Sequence, residues 1–204
     1  MAPHELGWGD TPEWEARLAD LLEEEEAVKK VSPSLQTECT PAGSRFSSGD
    51  FVHVQFDGGS QDGVGVGGFV ILTSEGKEVL RAGAYYGPGF TNNEAEAFAL
   101  RDSLDCLDSL RRTNPALCIP VRVWGDSQLL IKHLLRQFKK PSKVRIYEAI
   151  NRARELKRKW RDVAFRHTPR GFNVVADDMG RRAREAQADV VFWDAALPPD
   201  APAN

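Results

Sequence analysis

The sequence has little of what marks secreted, membrane-spanning or disulfide-rich proteins. No apolar run approaches the length of a bilayer-spanning helix, and the acidic N-terminus lacks the basic flank of a secretory or transit signal. The cysteines, Cys39, Cys106 and Cys118, are odd in number and have no metal-ligand spacing, so we expect thiols in a reducing compartment. These absences favour an intracellular protein without membrane contact, in the cytoplasm, with the nucleus or an organelle left open.

The net charge of −3 conceals two segments of opposite sign. Residues 1–50 hold eleven acidic side chains against four basic ones, a net of −7. Residues 132–170 hold fourteen basic side chains against three acidic ones, a net of +11. The basic segment is therefore a candidate surface for nucleic-acid phosphates, with a solvated helix face as the alternative.

Composition and periodicity predict three regions. Residues 1–50 form an acidic appendage and linker, residues 51–189 the folded domain, and residues 190–204 a tail. The predicted order is β-β-β-α-β-α-α-β-α, with strands near 51–57, 64–73, 78–86, 120–125 and 162–167 and helices near 93–112, 127–138, 143–160 and 173–188. This order predicts an α/β domain whose mixed five-stranded sheet, an antiparallel meander plus parallel strands, is flanked by helices.

Four acidic residues stand at predicted element boundaries. Asp57 and Asp126 end apolar strands, and Asp177 lies where the last helix begins. Glu96 falls on the apolar face of its helix, where a carboxylate is costly unless it is hydrogen-bonded, paired or bound to metal. Carboxylates gathered at one point repel each other unless a divalent cation neutralises them. The pattern therefore predicts a Mg²⁺ site for phosphoryl transfer.

The motifs around these residues resemble ribonuclease H type I. Each motif alone is typical of a turn or a helix cap, but together they follow the family's order across residues 51–188. The resemblance implies a ribonuclease H-like fold and an endonuclease that cuts the RNA strand of RNA–DNA hybrids to 5′-phosphate and 3′-hydroxyl products. The motifs are Phe56-Asp57-Gly58-Gly59-Ser60, Thr91-Asn92-Asn93-Glu94-Ala95-Glu96, Gly125-Asp126-Ser127-Gln128 and His167-Thr168-Pro169-Arg170 with Asn173-Val174-Val175-Ala176-Asp177.

The resemblance also implies roles for single residues. The four carboxylates Asp57, Glu96, Asp126 and Asp177 would be catalytic and hold two Mg²⁺ ions about 4 Å apart, with Mn²⁺ as an alternative. His167 would assist proton transfer or product departure, and Glu94 would be an exposed neighbour of Glu96. We expect nucleic-acid contacts from Ser60, Thr91, Asn92, Asn93, Gln128, Lys139, Lys140 and Lys143.

The sequence departs from the family pattern in three places. Gln61-Asp62-Gly63-Val64-Gly65 replaces the common Gly-Asn-Pro-Gly run, residues 138–146 are too few for a separate basic handle helix, and the acidic N-terminus does not resemble a hybrid-binding module. Alternatives are another nuclease or strand-transfer enzyme of this fold, such as an integrase or junction resolvase, and a non-catalytic nucleic-acid-binding module. A domain of a larger reverse-transcriptase polyprotein is also open. The acidic segment is a candidate site for a protein partner.

Overall fold

The computed structural model describes residues 50–160 and 162–193. Short 3-10 helices form at Pro115–Leu117 and Arg170–Phe172. The strands and helices are β1 (Val52–Gln61), β2 (Val64–Leu72), β3 (Glu78–Pro88), α1 (Asn92–Thr113), β4 (Val121–Gly125), α2 (Gln128–Leu134), α3 (Val144–Trp160), β5 (Val163–His167), α4 (Val174–Ala186) and β6 (Val190–Trp193).

The strands form one mixed sheet in the order β5-β4-β1-β2-β3-β6. β1, β2, β3 and β6 pair antiparallel, whereas β4 and β5 run parallel to β1. Parallel pairing brings the carboxyl ends of β1, β4 and β5 to one edge of the sheet. The register aligns Phe56 with Gly125 and Gly125 with His167. Asp57, Asp126 and His167 therefore gather at that edge, and the predicted fold class is confirmed.

Helices cover both faces of the sheet. The neighbouring residues Gly67 and Gly68 of β2 face opposite ways, because successive residues of a strand alternate between its faces. Gly67 lies against Ala99 of α1, and Gly68 lies against Ala176 of α4. α3 packs on the outside of α1. The core between the sheet and α1 includes the predicted apolar positions Val52, Val54, Phe56, Leu100, Leu104 and Leu107, all at most 1% exposed.

The structure corrects the C-terminal boundary and the strand count. Val190–Trp193 pairs with β3, so the sheet has six strands and the domain continues past residue 189. The run is rich in β-branched and aromatic residues, which favour strands. The preceding Asp189 accepts a hydrogen bond from the Tyr85 N–H at 2.7 Å, which ties it to β3. The remainder of the predicted tail, residues 194–204, lies outside the described residues.

Two smaller expectations are also corrected. α2 ends at Leu134 rather than residue 138, because Arg136 takes a left-handed backbone conformation with φ of 60°. Cys118 is disulfide-bonded, contrary to the expectation of thiols throughout, while Cys106 is buried in the core.

The predicted appendage lies outside the described residues apart from Asp50. Within residues 50–160 and 162–193, no helix combines the length and apolarity needed to cross a bilayer.

Candidate active site

Asp57 and Asp126 form a hydrogen-bonded carboxyl pair at the sheet edge. Asp57 projects from β1, and Asp126 directly follows β4, one step beyond the aligned Phe56 and Gly125. Burial, together with the charge of Asp126 and a side-chain hydrogen bond with it, raises the pKa of Asp57 to about 8. The charges of Asp177 and Glu96 act in the same direction, so all four predicted carboxylates lie near one another. At neutral pH, Asp57 therefore keeps its proton.

Glu96 reaches the pair because α1 lies unusually close to β1. A side chain at Gly58 would collide with the backbone of Ala95 and Glu96, so only glycine permits this approach. Burial raises the pKa of Glu96 to about 7, although a hydrogen bond with Ser127 acts to lower it. Its Oε2 atom is buried and has no hydrogen-bond partner within the described part of the chain. Glu96 thus presents an oxygen that a ligand from outside the protein can satisfy.

Asp177 approaches from the opposite face, in the first turn of α4. Gly68, the partner of Asp57 on the neighbouring strand β2, leaves room for the backbone of Ala176. The buried Asn173 holds the start of α4 by donating from Nδ2 to the Phe56 carbonyl at 2.8 Å. The Asp177 side chain is 54% exposed and pairs with Arg170 at 3.6 Å. It therefore lies at the rim of the site, whereas Asp57 and Glu96 lie deeper.

The carboxylates do not form a closed coordination shell in this arrangement. Within the described ranges, no group of three or more His, Cys, Asp or Glu side chains is placed so that it could hold a metal ion. Protein partners engage the carboxylates instead, since Asp57 bonds Asp126, Glu96 bonds Ser127 and Asp177 pairs with Arg170. The predicted residues converge, and their role in metal binding stays a prediction.

His167 lies at the end of β5, beside the carboxyl pair. Its exposed ring places Nε2 3.1 Å from the Asp126 backbone oxygen. The next residue, Thr168, donates its N–H to the Gly125 carbonyl at 3.0 Å. These two contacts fix the imidazole at the mouth of the site while leaving the ring in solvent.

Glu94 differs from its expected exposed position. It is 8% exposed and completes a capping box at the start of α1, accepting from the Thr91 N–H at 3.0 Å and the Thr91 hydroxyl at 2.6 Å. Burial opposes its ionisation, but hydrogen bonds from Thr91 and the charge and hydrogen bond of Lys143 outweigh it and lower the pKa. Glu94 is therefore a structural anion, distinct from the catalytic candidate Glu96.

The predicted nucleic-acid contacts surround the same edge, and several also bond one another. The Ser60 N–H donates to Asn92 Oδ1 at 2.6 Å, and the Ser60 hydroxyl donates to the Phe90 carbonyl at 2.7 Å. Lys143 lies 3.4 Å from Glu94, which joins the basic segment to the start of α1. The remaining predicted contacts are on the surface: Thr91, Asn93, Gln128, Lys139 and Lys140.

Three residues of the motifs have positions that the sequence reasoning missed. Ser127 caps α2, accepting from the Leu130 N–H at 3.4 Å, and it also bonds Glu96. Arg170 pairs with Asp177, and Asn173 anchors α4 to β1. Ser and Asn just before a helix are ordinary cap signals, so sequence could have marked Ser127 and Asn173 as helix starts but not their tertiary partners.

Comparison with solved structures shows that this fold is similar to that of ribonucleases H. RNase H1 from the archaeon Halobacterium salinarum NRC-1 is 29% identical, with a TM-score of 0.58 over 66% of this chain and 98% of that one. LC11-RNase H1, isolated from compost and solved with an RNA/DNA hybrid, is 25% identical, with a TM-score of 0.59 over 67% and 99%. The N-terminal RNase H domain of a Mycobacterium tuberculosis protein, 23% identical with a TM-score of 0.56 over 64% and 96%, shows the shared fold.

The sequence itself matches a family model. No curated protein sequence matches the chain. Residues 55–183 match the model of the reverse transcriptase-like family, a range that includes all four carboxylates and His167. The chain is therefore a member of the reverse transcriptase-like family, and its fold and relatives are those of ribonuclease H type I.

Proposed function

We propose that the protein is a metal-dependent endonuclease that hydrolyses the RNA strand of RNA–DNA hybrids, leaving 5′-phosphate and 3′-hydroxyl ends. The convergence of Asp57, Glu96, Asp126 and Asp177 from two strands and two helices carries this proposal. The hybrid in the LC11-RNase H1 structure supports the choice of substrate. A protein that only binds nucleic acid gains nothing from anions that face phosphates, so a binding module is the weaker reading.

The chemistry of these residues fits Mg²⁺. All four donors are carboxylates, the ligand type that Mg²⁺ prefers, and Glu96 has a buried oxygen without a protein partner. The raised pKa of Asp57 reflects burial and negative charge that a cation would offset. Asp177 is held by one long ion pair at the rim, so its carboxylate can exchange Arg170 for a cation. Two bound Mg²⁺ ions would supply a nucleophilic water and neutralise the charge of the departing oxygen.

The chain's own groups would position the substrate and move protons. Asp57 holds its proton at neutral pH because of its burial and its acidic neighbours, and a bound cation would favour its ionised form. His167 is exposed and fixed by the Asp126 carbonyl, so it can deliver a proton to the departing 3′-oxygen. Arg170 stands beside Asp177 at the rim, where a guanidinium can contact a phosphate.

Recognition of the hybrid would rest on amides near the carboxylates. Asn92, Asn93 and Gln128 are exposed at the starts of α1 and α2, and Ser60 fixes the Asn92 side chain. Short amides can bond 2′-hydroxyls in a shallow minor groove, which distinguishes RNA from DNA.

The test is incubation with end-labelled RNA–DNA hybrid, RNA duplex and DNA duplex, each with Mg²⁺ and with EDTA. We expect Mg²⁺-dependent cutting of RNA in the hybrid alone. Cutting of DNA duplex would instead favour a resolvase or strand-transfer enzyme. Binding without cutting would favour the non-catalytic module.

A further inference from the structure

A basic cavity lies on the outer side of α3. Its volume is about 320 Å³, and three arginines but only one carboxylate line it. None of its residues is a predicted nucleic-acid contact, and none belongs to the carboxylate site. The lining residues are Arg136, Asn151, Arg154, Glu155 and Arg158.

The Arg154 side chain is fixed to the end of α2, whereas Arg136 and Arg158 are exposed beside it. Arg154 donates from Nη2 to the His133 carbonyl at 2.7 Å, and the Arg136 N–H donates to the same carbonyl at 3.0 Å. Arg158 donates from Nε to the Arg154 carbonyl at 3.4 Å. Arg154 Nε is buried and has no hydrogen-bond partner among the residues that the structure describes. An acceptor inside the cavity would satisfy this donor.

The charge of the cavity favours an anion. Its one acid, Glu155, is engaged by Arg152 at 3.6 Å, and Arg152 is also held by Asp105 at 2.7 Å. Arg136, Arg154 and Arg158 therefore lack a carboxylate partner in the cavity. Guanidinium groups offer paired N–H donors that match the oxygens of a phosphate. A phosphate is thus the ligand class that satisfies both the charge and the unpartnered Nε.

The cavity lies at the far end of a polar track on α3. Lys143, Tyr147, Asn151, Arg154 and Arg158 recur at helical spacing, so they share one face of the helix. The track begins at the rim of the carboxylate site, where Lys143 contacts Glu94, and Lys140 lies over the Tyr147 ring at 3.9 Å. Fifteen residues of helix span about 22 Å, or about six base-pair steps at 3.4 Å each.

We propose that the Arg136–Arg154–Arg158 cavity binds a backbone phosphate of the hybrid about six base pairs beyond the phosphate that lies next to Lys143. This inference rests on the proposed function for its ligand. It makes the cavity an exosite that contributes affinity only when the hybrid is long enough to reach it.

The experiment compares R136Q/R158Q with a charge-matched control, K77Q/R112Q. Arg136 and Arg158 are exposed, and Lys77 and Arg112 lie outside the cavity, so both variants lose two surface charges. Binding is measured by fluorescence anisotropy without divalent ions over a range of salt, on a hybrid of about 5 base pairs that a loop keeps paired and on one of about 18 base pairs. On the long hybrid we expect R136Q/R158Q to bind about tenfold more weakly than the control, with a log–log salt slope smaller by about 0.7–0.9. On the short hybrid the two variants should bind alike.

Two results would overturn the exosite. One is equal binding of R136Q/R158Q and its control to the long hybrid. The other is an equal loss of affinity for the long and the short hybrid, which would reflect only the long-range electrostatic field of the protein. Because Arg154 also caps α2, R154K serves as the second variant, with unchanged circular dichroism and intermediate affinity expected on the long hybrid. Failure to cut any hybrid with Mg²⁺ would instead overturn the proposed function, in a separate assay that leaves the binding comparison intact.

Discussion

At the scale of single residues, the ionisation of Asp57 destabilises the folded protein, although the same carboxylate is a proposed metal ligand. Its pKa is about 8 in the folded protein, against an ordinary value of 3.8. Below about pH 4 the carboxyl is protonated in both states and costs nothing. As the pH rises from about 4 to about 8, the unfolded chain releases a proton that the folded protein retains, so stability falls.

Asp57→Asn should therefore stabilise the protein in EDTA while abolishing Mg²⁺-dependent cutting. The gain in Tm should grow between about pH 4 and pH 8, because the wild type loses the stability linked to Asp57 over that range and the variant does not. Thermal unfolding at several pH values measures it. Asp62→Asn, at an exposed turn of the same hairpin, is the control and should change neither property. Near-normal cutting by Asp57→Asn would refute its assignment.

His167 offers a second test at this scale. Its ring bonds a backbone oxygen of the site rather than a carboxylate, so His167→Ala should lower the rate by about 10- to 100-fold. A Mg²⁺ titration of activity should give the same half-maximal concentration as wild type. A large shift to higher Mg²⁺ would place His167 in direct support of the metal, and an unchanged rate would make it an ordinary surface histidine.

At the scale of elements, two glycines position the helices that carry Glu96 and Asp177. Gly68→Ala should destabilise the protein by about 1–3 kcal/mol, because its Cβ would collide with the Ala176 carbonyl and displace α4. Cutting should fall as well, since α4 carries Asp177. Urea unfolding and hybrid cleavage measure the two effects. Gly171→Ala is the matched control, because a Cβ there meets nothing within 4 Å. Equal stability of the two variants would show that α4 does not depend on this contact.

The sequence predicts the elements well because their signals are local. The alternation in β1 and the apolar face of α1 require only neighbouring residues, and the turn at Gly76 has a positive φ of 80°, which glycine adopts readily. The sixth strand was missed because its four residues follow a helix and precede a Pro-rich end, so only pairing with β3 reveals it. Glu94 was misplaced because spacing separates it from Glu96 but does not show that Thr91 and Lys143 bury it.

At the scale of the whole molecule, acidic and basic side chains are concentrated in different segments, residues 1–50 and residues 132–170. The basic segment 132–170 holds Lys143 at the rim of the carboxylate site and the arginine cavity at the far end of the α3 track. The acidic residues 1–50 carry a net of −7 and no candidate ligand. An acidic segment repels nucleic acid through the long-range field, so it should weaken hybrid binding rather than support it.

Deletion of residues 1–49 should therefore leave cutting intact and make hybrid binding equal or slightly tighter. All four carboxylates, His167 and the sheet that positions them lie within the retained chain. Both proteins are assayed with a reducing agent, because Cys118 is disulfide-bonded and could otherwise cross-link truncated molecules. The measurements are turnover at saturating hybrid and the Kd at several salt concentrations, where any gain in affinity should shrink as salt screens the acidic segment. A large loss of turnover or of cooperative unfolding after truncation would show that residues 1–49 pack against the domain and help to hold the site.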